Sequence, residues 1–256
     1  MLSLMNEKDV FLPDKKFWQD PNEPYSHYYR WVWEYLAYLS LLCRLKRESN
    51  VLELGCSHGR TSQALLEYLW YPAFYRGLDV DKSQIEQATK LISSVAANFQ
   101  YIHADVYNRH YNPKGRYSAS EYVFPFEDNT FDCVYAASVF THLLPNEVEN
   151  YFRQTSRVLV PRGKALFSFF IFDRYQGPGT SQSPLYEFEH PLENIDGVKA
   201  QHQDYPDNVI AYSEDRIKKY AEANGLTVSR IVNGLWSRNP GHALHEQDLV
   251  LLERLE

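Results

Sequence analysis

The chain has 256 residues, with 26 Lys and Arg against 33 Asp and Glu and a formal net charge of −7. Its hydrophobic content of 44% and charged content of 23% are typical of a globular protein, and its length suits one large domain or two small ones. The acidic balance disfavours binding to a phosphate backbone, so we predict no nucleic-acid partner.

Neither a membrane span nor an export signal is expected. The longest apolar stretch, residues 36–43, is far shorter than the roughly 20 apolar residues of a membrane-spanning helix. Glu7, Lys8 and Asp9 stand where a signal peptide would have its apolar core. Three widely spaced cysteines without a paired motif are typical of reduced thiols. We therefore predict a cytoplasmic protein.

Residues 1–24 are polar and contain prolines, which predicts an N-terminal arm, and residues 25–256 are predicted to form one domain. Residues 25–47 lack Gly and Pro and end in basic residues, a pattern that predicts a helix. Strands then alternate with helices, which predicts an α/β fold with a doubly wound, mostly parallel sheet. The strands are expected at 51–55, 74–80, 98–106, 131–138, 161–172, 226–233 and 246–255, and the later helices at 57–69, 81–96, 146–159 and 213–223. Two insertions, 107–126 and 173–210, interrupt this alternation.

Carboxylates and glycines occur where the first three strands end. Ligands of such sheets bind beyond the carboxyl ends of the strands, so these residues are candidate ligand contacts. The first strand ends in Glu53, Gly55, Ser57 and Gly59, which is neither a dinucleotide fingerprint nor a phosphate-binding loop. A carboxylate before this turn suits a cofactor with an ammonium group.

Two further carboxylates extend this pattern. Asp79 lies 20 residues after Gly59, about where an acid accepts hydrogen bonds from a ribose diol, and Asp105 ends the third strand. Each residue alone could be a turn, a helix cap or a strand end. Together, in this order, they indicate a site for an ammonium group, a ribose and an adenine.

Residues 53–59, 77–81, 103–106 and 131–145 resemble the class I S-adenosylmethionine-dependent methyltransferases, and 157–170 resembles the helix, turn and strand that follow there. The resemblance is closer to a bacterial subset with a Tyr-Asn-Pro insertion, here at 111–113, an SVFTHL segment and an AYxE segment. It covers roughly residues 25–253 and implies a Rossmann-like, seven-stranded, mostly parallel sheet with an antiparallel last strand. Two residues depart from the family pattern: Ser57 replaces the central glycine of the loop, and Arg162 the first glycine of a Pro-Gly-Gly turn.

The resemblance implies S-adenosylmethionine as cofactor, S-adenosylhomocysteine as product, and a role for each matched residue. Glu53 would lie near the methionine ammonium, beside a loop formed by Gly55, Ser57 and Gly59. Asp79 would accept from the ribose and Val80 would pack on the adenine, whereas Asp105 and the Val106 backbone would meet the adenine edge. Ser138 would lie beneath the sulfonium. Helix 25–47 resembles a lid over the cofactor, although it could equally be a buried docking helix or half of a homodimer contact.

His142 directly follows the fourth strand and is the best candidate for a general base, because histidine titrates near working pH. In this position it could instead only orient the loop or touch the cofactor. Tyr111, Asp173 and Tyr175 are predicted to line the acceptor pocket, with packing or capping as the alternative. We predict no metal site, because His242 and His245 lack a third ligand.

These features predict an enzyme of class EC 2.1.1 that methylates a small-molecule acceptor. The predicted target is a hydroxyl oxygen of a sugar, a glycan precursor or a secondary metabolite. Methylation of an amine or a carboxylate remains an alternative. A non-catalytic protein that keeps the fold is a third possibility, supported only by Ser57.

Overall fold

The structure is a computed structural model that describes residues 25–176, 186–238 and 243–256. The predicted arm, residues 1–24, lies outside these ranges, and so does part of the insertion at 173–210. Within the described ranges, none of the helices combines the length and the apolar character needed to cross a bilayer.

The described residues contain two sheets. The strands are β1 (Val51–Leu54), β2 (Tyr75–Asp79), β3 (Phe99–His103), β4 (Phe131–Ala136), β5 (Leu159–Phe169), β6 (His190–Pro191), β7 (Val198–Ala200), β8 (Ile210–Tyr212), β9 (Leu226–Val232) and β10 (Asp248–Arg254). Seven of them form the main sheet in the order β3-β2-β1-β4-β5-β10-β9. Strand β10 runs antiparallel to both of its neighbours, and β1 to β5 pair in parallel. The predicted fold is confirmed.

Strand β1 lies at the centre of this sheet, where the strand order reverses. It pairs with β2 on one side and with β4 on the other, and all four of its residues are buried. A strand that is covered on both faces of a sheet is mostly apolar, which explains Val51, Leu52 and Leu54, and Glu53 is the exception. The reversal opens a crevice beyond the ends of β1 and β4, where ligands of such sheets bind.

The helices are α1 (Tyr25–Leu42), α2 (Ser62–Tyr68), α3 (Lys82–Ala88), α4 (Pro145–Val158) and α5 (Glu214–Ala223). Helix α1 ends before the predicted residue 47, because the chain turns at Arg44, which has a φ of 56°. Asp81 caps α3, since its carboxylate accepts hydrogen bonds from the N–H groups of Ser83 and Gln84 at 2.9 and 3.3 Å. After α3 the predicted helix changes into a π-helical turn, Thr89–Ser93.

A small three-stranded sheet, β6-β7-β8, was not predicted, because its strands have only two or three residues each and show no alternation. It attaches to the main sheet next to the end of β5, where the N–H of Tyr212 donates to the carbonyl of Phe170 at 2.9 Å. The hydroxyl of Tyr212 donates to the carbonyl of Leu143. The small sheet is therefore anchored to the segments that follow both β4 and β5.

Candidate active site

Glu53 is a buried carboxylate at the centre of the sheet, and three hydroxyl groups donate to it. The hydroxyls of Thr61 and Tyr75 bond to separate oxygens, and the hydroxyl of Tyr135 donates at 2.7 Å. Burial raises the pKa of Glu53 to about 7, although the hydroxyls act in the opposite direction. These contacts fix the carboxylate under the loop that follows β1, and its predicted role toward an ammonium group stays a prediction.

The loop after β1 has a backbone that favours glycine at three positions. Gly55, Ser57 and Gly59 have φ angles of 74°, 50° and 83°. A Cβ at Gly55 would overlap Val139, and one at Gly59 would lie 2.8 Å from the hydroxyl oxygen of Tyr101. Ser57 therefore takes the left-handed conformation that a glycine would take at lower energetic cost.

Asp79 ends β2 and is tied to the same loop. Its carboxylate accepts from the N–H of Ser57 and from the N–H of Asp81, at 2.7 and 2.8 Å. Burial raises its pKa, and these backbone donors offset part of that effect. The next residue, Val80, is half-buried and accepts from His103 through its carbonyl oxygen, at 3.1 Å.

Asp105 follows β3 and is held by the insertion at 107–126. The side chain of Arg116 donates to its carboxylate at 2.5 Å, and the amide of Asn112 donates at 3.3 Å. The hydrogen bond from Arg116 is the main reason why the pKa of Asp105 lies below its ordinary value. The neighbouring Val106 is buried and forms a bridge with Tyr117. The insertion therefore folds back onto this strand end.

Ser138 follows β4 with a φ of 55° and joins two other strands. Its N–H donates to the hydroxyl of Ser168 in β5 at 2.7 Å. Its own hydroxyl accepts from the side-chain amide of Gln247, next to β10, at 2.9 Å. These bonds fix the predicted floor residue at the point where β4, β5 and β10 meet.

His142 ends a short 3₁₀ turn after β4 and contacts the insertion at 173–210. Its Nδ1 lies 2.7 Å from the carbonyl oxygen of Asn208, in the segment that precedes β8. Since a carbonyl oxygen only accepts hydrogen bonds, Nδ1 carries the proton and Nε2 keeps its lone pair. His142 keeps an exposed surface, and partial burial of its ring by the neighbouring segments lowers its pKa, against the opposing effect of the Asn208 carbonyl.

The two insertions meet near this histidine. The guanidinium of Arg109 lies 3.7 Å from the carboxylate of Asp207 and 4.7 Å from the centre of the Tyr205 ring. Tyr111, in the same turn of the first insertion, leaves its ring largely exposed. The chain segments around residues 109 and 207 thus form one polar surface close to His142.

Asp173 and Tyr175 lie beyond the end of β5, where they have different environments. Both oxygens of Asp173 accept from the N–H of Glu214 at 3.1 Å, so this residue caps the start of α5. The ring of Tyr175 stacks on Trp236, with 5.7 Å between the ring centres. Contact of either residue with an acceptor stays a prediction.

Comparison with known proteins explains this arrangement. Residues 52–167 match a family described as a methyltransferase domain. The chain is similar in structure to a SAM-dependent methyltransferase from Methanosarcina mazei, with 17% identity, a TM-score of 0.53 and coverage of 82% of this chain and 94% of that one. Residues 52–167 therefore form a methyltransferase domain, and the chain has the fold of the S-adenosylmethionine-dependent methyltransferases. Its cofactor is S-adenosylmethionine.

Two further structures share the fold of this methyltransferase. One is magnesium protoporphyrin IX methyltransferase (ChlM) from Synechocystis with bound SAM, at 14% identity and a TM-score of 0.52, covering 90% of this chain and 80% of that one. The other is the CcbJ methyltransferase from Streptomyces caelestis, at 13% identity and a TM-score of 0.56, with coverage of 87% and 89%. These identities are low, so the likeness concerns the fold.

The residues of this methyltransferase fit the cofactor. Glu53, Asp79 and Asp105 end three adjacent parallel strands, so the acids lie along one edge of the sheet. Two buried acceptor atoms nearby, Nε2 of His58 and Oε1 of Gln247, lack a partner among the described residues. Buried polar atoms are rarely left unpaired, so both are free to bond a ligand.

Sequence reasoning missed several residues of this site because their partners are distant in the chain. The Asn208 carbonyl that holds His142 is 66 residues away, and Gln247 is 109 residues from Ser138. No spacing rule relates such positions. The ring of His58 stacks on Tyr28 of α1, so the loop is also covered by the helix compared above to a lid.

Proposed function

We propose that the chain transfers a methyl group from S-adenosylmethionine to a hydroxyl oxygen of a small-molecule acceptor. The acceptor class is a sugar, a glycan precursor or a secondary metabolite. The observation that carries this proposal is the hydrogen bond between His142 and the Asn208 carbonyl, because it leaves Nε2 of the imidazole as a proton acceptor.

A hydroxyl acceptor needs a base, because the oxygen must lose its proton as the carbon–oxygen bond forms. Bound S-adenosylmethionine supplies the methyl group on a sulfonium. His142 supplies the base: its lowered pKa keeps the ring neutral at neutral pH, and the Asn208 carbonyl fixes the tautomer. Nε2 would accept the proton of the hydroxyl, and the cofactor would supply the methyl group and leave as the neutral thioether S-adenosylhomocysteine once its carbon–sulfur bond has broken.

The strand ends bind and orient the cofactor in this proposal. Asp79 accepts from the ribose hydroxyls while the backbone of Ser57 and Asp81 holds its carboxylate in place. Asp105 accepts from the adenine amino group, with Arg116 as its second partner. Glu53 acts from beneath the loop, and Ser138 lies under the sulfonium. Alignment of acceptor and methyl carbon in one line is the main task of such a site.

The polar surface formed by the two insertions supports a small acceptor over a macromolecule. This surface is small and carries one positive and one negative side chain, Arg109 and Asp207, and the chain as a whole has a net charge of −7. A nucleic acid would need a basic surface. The names of two structural neighbours, a magnesium protoporphyrin IX methyltransferase and the CcbJ methyltransferase, are consistent with methylation in general but do not identify this acceptor.

Calorimetric titration with S-adenosylmethionine and S-adenosylhomocysteine is the first test. We expect micromolar binding, about −8 kcal/mol. Acceptor screening with a tritiated methyl group, sugars first and phenols next, then tests the transfer. A folded sample that binds neither ligand would contradict the proposal and favour a non-catalytic protein.

A further inference from the structure

An aromatic cavity lies beyond the end of β5, where the residues that follow this strand meet Trp236. It is partly open to solvent and has a volume of about 300 Å³. Its walls are Phe172, Tyr175, Tyr186, Phe188, Lys199 and Trp236. This volume is at the lower end of the range for small-molecule sites, and it suits a single ring.

The aromatic walls are rigid because the rings pack on one another. Trp236 stacks in parallel on Tyr175 and meets Phe188 edge to face, with ring centres 5.7 and 5.6 Å apart. Its indole N–H donates to the carboxylate of Asp248 at 2.7 Å, which fixes the orientation of the ring. A flat apolar surface of this kind packs against the C–H face of a ring ligand.

Charged groups of both signs line the same cavity. Glu187 and Glu189, which are exposed, lie at its rim, and the ammonium of Lys199 lies 4.7 Å from the centre of the Phe172 ring. Among the described residues, none of these three side chains forms an ion pair. A ligand of either charge would meet at least one group of like charge here, whereas a neutral ligand meets none.

A neutral ligand with several hydroxyl groups satisfies all of these groups. The carboxylates accept hydrogen bonds from hydroxyls, and the ammonium donates to them. A neutral aromatic ligand such as a phenol would stack equally well, but it would leave most of the charged groups without a partner. A sugar ring has both an apolar C–H face and a rim of hydroxyls.

Two residues that contact the cavity aromatics are direct chain neighbours of residues in the proposed transfer site. Val209, which packs with the cavity aromatics, directly follows Asn208, whose carbonyl holds His142. Asp248, which fixes Trp236, directly follows Gln247, whose amide bonds to Ser138. A ring bound in the cavity is therefore positioned by the same elements that position the base and the floor.

We propose that this aromatic cavity binds an uncharged sugar ring, which stacks on its aromatic wall while Lys199, Glu187 and Glu189 bond its hydroxyls. The assignment of this ring to the methyl acceptor rests on the proposed function. Binding of the ring itself does not require the cofactor.

Saturation-transfer NMR on the full chain tests the proposal directly. The probes are the methyl glycosides of glucose, mannose and rhamnose, with phenol, benzoate and choline as competitors of different chemistry. We expect transfer to the ring C–H protons of at least one glycoside. Tyr175→Ala should weaken binding about tenfold, and Tyr175→Phe should keep it, because the phenyl ring supplies the stacking.

The matched control is Trp70→Ala, which removes a half-exposed ring from the turn before β2, at the opposite edge of the sheet. It should leave glycoside binding unchanged. Absence of transfer to all three glycosides, preference for phenol or a charged probe, or equal binding by Tyr175→Ala would each overturn the proposal.

Titration of the same samples with S-adenosylmethionine separates this proposal from the proposed function. Cofactor binding without glycoside binding would overturn the sugar cavity alone. Glycoside binding without cofactor binding would support the cavity and contradict the methyltransfer. Tyr175→Ala should bind the cofactor as the unmodified chain does, which would show that its defect is confined to the cavity.

Discussion

The two halves of the sheet edge are built in different ways. On the side of β1, β2 and β3, the acids lie in or directly after the strands, and partners such as the N–H of Asp81 are only two residues away from Asp79. On the side of β4, β5 and β10, each functional group depends on a distant segment. His142 bonds to Asn208, and Tyr175 stacks on Trp236.

This difference separates two requirements. The cofactor side must hold one fixed ligand, and the hydrogen-bonded pairing of three adjacent parallel strands positions the three carboxylates with little freedom. The acceptor side must fit a substrate particular to this enzyme, and insertions can change there without disturbing the sheet. Substitutions on the acceptor side should therefore alter turnover and leave cofactor affinity intact, whereas those on the cofactor side should do the reverse.

The largest expected effect is on the acceptor side. His142→Gln should lower kcat by about 100-fold to 10,000-fold, because it removes the proposed base, while the Gln amide can still donate to the Asn208 carbonyl. In the unmodified enzyme, kcat should fall as the pH drops through a pKa below 6.5, where His142 becomes protonated. The variant should lack this acidic limb.

Cofactor titration of the same variant provides the control for His142→Gln. We expect unchanged affinity. Equal losses in turnover and in cofactor affinity would make His142 a structural or cofactor-binding residue. Unchanged turnover would favour a carboxylate acceptor, which needs no base.

On the cofactor side, Glu53 should make stability depend on pH. Its pKa is raised from 4.5 to about 7 in the folded protein, so between these values the native state binds more protons than the unfolded one. The free energy of unfolding should therefore fall as the pH rises through this window, by about 3 kcal/mol. Glu53→Gln should reduce this dependence in urea unfolding at pH 5 and pH 8, and the remainder should come from other buried acids such as Asp248, whose pKa is raised to about 6.

An exposed acid of similar size provides the comparison for Glu53. Glu67, on α2, is exposed, so Glu67→Gln should follow the pH profile of the unmodified chain. Parallel profiles for Glu53→Gln and the unmodified chain would show that the buried carboxylate does not titrate in this range.

The sequence predicts those parts of the fold and of the site whose interacting residues lie close together in the chain. Asp81 is a recognisable helix cap because its partners are two and three residues away, and the alternation of strands and helices predicts the main sheet. The acids at 53, 79 and 105 were found because they end predicted strands. The family pattern also accounts for Ser57, whose positive φ is the one that the usual glycine favours.

Sequence reasoning was weaker where structure depends on contacts between distant segments. The small sheet escaped prediction because β6 and β7 are too short to show a period. Trp236 has no predicted role, since its partners Tyr175 and Phe170 are some sixty residues away in the chain. Asp173 was assigned to the pocket, and its capping of α5 required the position of Glu214 in space.

A smaller effect is expected for Asp79→Ala. The substitution removes the acceptor for two backbone N–H groups and for the ribose, which should weaken cofactor binding by about 1–3 kcal/mol. The control is Asp132→Ala, because the Asp132 carboxylate also accepts from a backbone N–H, that of Asn50, but at the other edge of the sheet. It should lower stability without changing cofactor affinity. Unchanged affinity in Asp79→Ala would remove this residue from the site.

The smallest effect is expected at Arg116, where the acceptor-side insertion reaches the cofactor side. Its side chain is 75% exposed, and exposed ion pairs contribute little, so Arg116→Ala should weaken cofactor binding by less than about fivefold. The pKa of Asp105 should rise toward its ordinary value, because its main hydrogen-bond donor is lost. Calorimetry at low and high salt tests whether the effect is electrostatic. Added salt should lower the cofactor affinity of the unmodified chain until it approaches the affinity of Arg116→Ala. A loss as large as that of Asp105→Ala would instead mean that the insertion orders the whole adenine site, and the two sides would then not be independent.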